Sequence, residues 1–144
     1  MLSSTPQLPR PAATGPAPAS TRTTLLAVSA DAALILVFAA IGRDAHQRGD
    51  IITGVLATAW PFLTGAAVSW LALRIWRSPL ALWPAGVGVW LGTVTVGMVL
   101  RAVTGQSVVL PFVIVALLSL GLFLLGYRLV AAVIRRRNTR RGGA

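Results

Sequence analysis

Four long apolar runs constrain this chain more than any other feature. They occupy residues 24–41, 51–73, about 80–100 and 107–127, the last continuing towards 134. A helix rises about 1.5 Å per residue, so roughly 20 apolar residues cross the ~30 Å hydrocarbon layer of a bilayer. One small globular core could not enclose four such runs in 144 residues. None of the runs alternates with period two, as membrane-spanning strands would. The expected fold is therefore all-α, an integral membrane four-helix bundle. Composition agrees, since 56% of the residues are hydrophobic and only 11% are charged, far from the surface a soluble domain of this size needs.

The runs divide the chain. Residues 1–23 hold five prolines and little apolar bulk, the signature of a disordered tail. Residues 24–134 form the four-span transmembrane domain, and residues 135–144 form a basic tail. The first run outlasts the apolar stretch of a signal peptide and contains Asp31, so it is expected to remain as a span.

Arginine sets the expected orientation. All thirteen basic residues are arginine, which, with the Ala, Val, Gly and Leu bias, suggests a GC-rich bacterial genome. With four spans, Arg10, Arg22, Arg74, Arg77, Arg135, Arg136, Arg137, Arg140 and Arg141 share one side. Arg43, Arg48 and Arg101 fall on the other. Positive charge accumulates on the cytoplasmic side, so both tails are expected there, in the cell membrane.

Trp70, Trp76 and Trp83 cluster near the expected inner boundary, a depth that suits indole rings. Pro61 and Pro111 lie inside a span or near its start, where neighbouring helices can satisfy the freed backbone group. Gly88 and Gly92 form a GxxxG pair, and Gly65 with Ser69 a looser version. Small residues one turn apart let helices approach closely, within one bundle or between two copies.

Two groups of residues could carry chemistry. The first is the outer connection "IGRDAHQRGD", with Arg43, Asp44, His46, Arg48 and Asp50. His46 is the only histidine and could titrate near neutral pH. A metal site normally needs three or four ligands, and the two arginines here would repel a cation. The expected role is a solvated connector, with no metal site. The second group is Asp31 with Arg128. Asp31 lies seven residues beyond Thr24, and Arg128 lies seven residues before Arg135. Both are therefore about 10 Å from the same membrane face. A lone charge at that depth costs a few kcal/mol, so equal depth and opposite sign point to an intramembrane pair. That pair could be a structural bridge or a proton or solute site.

No phosphate-binding loop, no GxSxG and no HExxH is present, and the chain holds three acids, one histidine and no cysteine. Hydrolytic chemistry is hard to build from that set. No catalytic residue, cofactor site or disulfide is expected. The arginine-rich tail lacks interleaved aromatics and directly follows a span. Its expected partners are anionic lipid headgroups, with no nucleic acid.

Taken together, residues 31–128 resemble the domain of unknown function 3054 family. The likeness rests on Asp31 followed by "LVFAAIGRDAH", on "TAWPFLTG", on "VGMVLR" and on "FVIVALLSLGLFLLGYR". The resemblance implies a small prokaryotic membrane protein with four helices, and it would place tryptophan where Tyr127 stands. It implies no activity. The expected function is a non-enzymatic structural or accessory membrane component, self-associating or bound to another membrane protein. The alternative is a small proton-linked or anion transporter using Asp31 and Arg128.

Overall fold

The computed structural model describes residues 19–44 and 50–142, without the side chains of Arg43 and Asp44. Four helices dominate: α1 Thr21–Asp44, α2 Ile51–Ala72, α3 Val87–Val103 and α4 Leu110–Arg141. No strand occurs among the described residues. The stretches Thr21–Gly42, Ile51–Ala72, Leu82–Val103 and Leu110–Arg141 are each long and apolar enough to cross a bilayer. The chain is thus an integral membrane four-helix bundle. One end, here called proximal, holds the start of α1, the α2–α3 connection and the end of α4. The distal end holds the α1–α2 and α3–α4 connections.

The boundaries differ from the sequence expectation at three places. Helix α1 begins three residues before residue 24. The third span does not begin as a regular helix at residue 80. Ala81 and Trp83 are extended, and Leu82–Gly86 form an irregular turn that leads into α3. Pro84 has no backbone N–H to donate, so an interior helical register there would be incomplete. Helix α4 continues through Arg141, 32 residues in all and about 48 Å long. Arginine is a good helix former and needs no packing to stay helical once a long helix has been nucleated.

The core is built from small side chains as much as large ones. Ala27, Ala39, Ala59, Ala66, Ala85 and Ala116 are buried between Ile35, Phe62, Val89, Leu120 and Leu124. Large apolar side chains such as Leu26, Ile52, Leu56, Leu118 and Leu122 point outward. That arrangement suits lipid, which offers no hydrophobic driving force between helices and leaves close packing to hold them.

The tightest seam joins α2 to α3. A Cβ on Gly65 would stand 2.8 Å from the Thr93 carbonyl oxygen and 3.2 Å from that of Gly92, so backbone meets backbone there. Gly92 faces the Ser69 side chain, and Gly88 faces Leu73. The GxxxG pair therefore lies inside the bundle. Ser69 Oγ, pressed into this seam, donates to the Gly65 carbonyl at 2.8 Å. Towards the distal end, Phe38, Phe62 and Phe112 meet with ring centroids 5.4–6.3 Å apart.

Candidate functional site: a saturated intramembrane ion pair

Asp31 and Arg128 meet at the proximal half of the bundle. Asp31 is 2% exposed and Arg128 is completely buried. The guanidinium forks onto the carboxylate: NH1 donates to Oδ1 and NH2 to Oδ2, each at 2.8 Å. Such two-pronged pairing is the strongest geometry available to arginine.

The remaining valences are filled by neighbours. Arg128 NH1 also donates to the Leu124 carbonyl at 2.9 Å, one turn back on α4. Its Nε donates to the Pro79 carbonyl at 3.0 Å, in the α2–α3 connection. On the acid side, Trp70 Nε1 donates to Oδ2 at 2.9 Å, and the Tyr127 hydroxyl donates to Oδ1 at 2.8 Å. Each carboxylate oxygen therefore accepts two hydrogen bonds, the practical capacity of an ionised carboxylate. One ion pair joins α1 to α4 and, through Trp70 and Pro79, to α2 and the α2–α3 connection.

Local sequence explains how the partners arrive. Gly86 gives Arg128 its berth, because a Cβ there would come within 2.9 Å of the arginine Cδ. The irregular turn before α3 brings that glycine against α4. Tyr127 precedes Arg128 on α4, and its hydroxyl reaches back to α1. Burying an ion pair costs several kcal/mol per ion unless geometry and extra hydrogen bonds offset it; here both conditions are met.

Trp70 corrects one expectation. It is 8% exposed and donates to Asp31, so it is an interior hydrogen-bond donor rather than a member of an interfacial belt. Trp76 and Trp83 do face outward. Reading the three tryptophans as one belt missed that a buried indole N–H needs a partner. Tyr127 and Pro79 were missed as well. Adjacency to Arg128 was the only signal for the tyrosine, and a backbone carbonyl such as that of Pro79 leaves none.

A half-open cavity of about 410 Å³ lies between α1 and α2 beside Asp31. Val28, Leu63, Leu71 and Trp76 form much of its wall, so it is apolar.

The outer cluster is only partly in view. Asp50 immediately precedes α2, and its Oδ2 accepts from Thr53 Oγ1 at 2.7 Å. Arg43 and Asp44 lie on the last turn of α1. Their side chains, with His46 and Arg48, lie outside the described residues, as do residues 1–18 of the N-terminal tail. The described arginines of the C-terminal tail, Arg135, Arg136, Arg137, Arg140 and Arg141, are exposed along the end of α4.

No curated protein and no solved structure matches this chain. One family model does, over residues 28–131, a stretch that runs from just before Asp31 to just beyond Arg128. The chain belongs to that family, described as protein of unknown function (DUF3054).

Proposed function

We propose that this chain is a non-enzymatic structural or accessory component of the cell membrane, with Asp31 and Arg128 as its internal clamp. The observation that carries this reading is the saturation of Asp31, which accepts from Arg128, Trp70 and Tyr127 at 2.8–2.9 Å. An acid that trades protons or solute during a transport cycle has to release a partner. Every partner of Asp31 comes from the bundle itself, and releasing Arg128 would strand two charges in a medium that penalises them. The exposed small and apolar helix faces suit packing against a second copy or another membrane protein.

The orientation belongs to this proposal. By the order of the spans in the sequence, nine arginines share the side of the two tails and three the other, which supports a cytoplasmic placement of both tails. The arginines that end α4 would then lie among anionic headgroups of the inner leaflet. Reporter fusions after Ala144 and near Gln47 are expected to read cytoplasm and exterior respectively. Two reporters on one side would overturn the orientation.

The transporter alternative draws on the 410 Å³ cavity beside Asp31. Its apolar wall offers little to a proton or an anion, which is why the architectural reading ranks first. Purification in native lipid discs separates the two. A self-dimer or a stoichiometric membrane-protein partner is expected. A proton flux into proteoliposomes that Asp31→Asn abolishes, while the variant stays folded, would overturn the architectural reading.

A further inference from the structure

The distal end contains a second arginine with the opposite character. Arg101 lies two residues before the end of α3. Its NH2 donates to the Ser107 carbonyl at 3.2 Å, and its guanidinium lies 4.5 Å from the Phe112 ring centroid. Its Nε and NH1 are buried and have no hydrogen-bond partner among the described residues. Unpaired buried donors are costly, and more so when charged. Such groups are rare in native proteins and call for a specific cause.

The same arginine lines a vestibule of about 870 Å³ at the distal end of the bundle, to which all four helices contribute. Phe38, Ile41, Val109, Phe112 and Val115 supply an apolar wall. Thr58, Gln106 and Ser107 supply the polar groups near the rim. Gly105 shapes this rim. Its φ of 73° is one that a side chain rarely adopts, and it turns the chain so that Ser107 comes back to Arg101. A mostly apolar cavity of several hundred Å³ with a few placed polar groups is the usual form of a small-molecule site. A cation with unsatisfied donors among the described residues lies at its edge and selects the sign of the ligand. The apolar wall exceeds what a bare inorganic anion needs.

We propose that this vestibule binds an anionic amphiphile. The phosphate or carboxylate oxygens of the ligand pair with the charge of the Arg101 guanidinium in the vestibule wall, and its apolar body lies against Phe38, Ile41 and Phe112. An anionic lipid of the surrounding leaflet and a freely diffusing acyl phosphate or carboxylate share this chemistry. The proposal is independent of the role given to Asp31 and Arg128.

The test uses the full chain in phosphatidylcholine nanodiscs, titrated with dodecyl phosphate and followed by native mass spectrometry. One saturable equivalent is expected for the wild type. Arg101→Gln is expected to weaken it about tenfold or more, as removal of charge-assisted hydrogen bonds does. Ala57→Leu, which narrows the vestibule with Arg101 intact, is expected to weaken it as well and covers the case in which Arg101→Gln fails to fold. Replacing the five arginines of the C-terminal tail by glutamine is expected to leave this equivalent in place. Discs doped with phosphatidylglycerol distinguish the sources: competition by that lipid assigns the site to the leaflet, and its absence assigns it to a free amphiphile. The proposal is overturned if dodecyl phosphate does not saturate the wild type, or if both cavity variants bind like the wild type. It is also overturned if inorganic phosphate binds as tightly as dodecyl phosphate, or if the tail variant loses all saturable binding.

Discussion

Arg128 and Arg101 are the same residue type in two answers to one physical problem. Arg128 is fully enclosed and spends its donors on Asp31, Leu124 and Pro79. Arg101 is partly enclosed, with one carbonyl and one ring against it and two nitrogens unpaired among the described residues. The more deeply buried charge is the better compensated. Burial alone therefore does not mark a functional charge in this bundle. The unfilled valence does, because saturation leaves a ligand nothing to bind.

That contrast is open to direct attack. The largest effect is expected from Arg128→Leu, which strands the Asp31 carboxylate and should lower stability by about 3–5 kcal/mol. Asp31→Asn should cost less, because the amide still accepts one fork of the guanidinium. The double variant should recover part of the loss. Reversible unfolding in mixed micelles measures all three, and additive losses would remove the coupling on which the contrast rests.

Smaller effects should follow from trimming the donors around the acid. Trp70→Phe and Tyr127→Phe each delete one hydrogen bond to a charged group, worth about 1.5–3 kcal/mol. If either costs nothing in the same unfolding assay, Asp31 is not saturated in the sense argued here.

Arg101→Gln should change stability by no more than about 1 kcal/mol without ligand. It removes a cation–ring contact worth about 0.5–1 kcal/mol at an exposed site, and it also removes an under-compensated charge. A loss as large as that of Arg128→Leu would abolish the distinction between the two arginines. The smallest effect is expected at His46, where alanine should shift stability by less than about 0.5 kcal/mol, as at most surface positions. Elemental analysis of the purified protein should be unchanged. Loss of a stoichiometric metal in that variant would place chemistry in the outer connection after all.

The pairing of Asp31 with Arg128 was legible because two strong constraints coincide. Helical rise fixes the depth of each charge, and lipid penalises leaving either alone. The four spans were legible for a similar reason, since hydropathy over about 20 residues leaves few other folds. What remained hidden depends on side-chain direction and on backbone groups. Trp70 reads as an interfacial anchor until the rotation of α2 turns it towards Asp31. The Pro79 carbonyl has no sequence signature. In the sequence Arg101 stands just beyond the third apolar run, and reads as one of the three charges on the side opposite the tails. In the structure α3 continues to Val103 and keeps the arginine against Phe112. Proline at Pro84 displaced the start of α3 in a way hydropathy does not register.

The span of the ion pair along the chain bears on how the protein is made. Asp31 and Arg128 are 97 positions apart, one in the first helix and one in the last. Ribosomes add about 5–20 residues per second, so α1 waits on the order of 5–20 s for its cation. During that interval the nascent chain carries an acid in a span whose stabilising partner has not been synthesised. A chain stopped before α4 would keep that mark permanently. The pair therefore ties α1 to α4 only after α4 has been made and inserted.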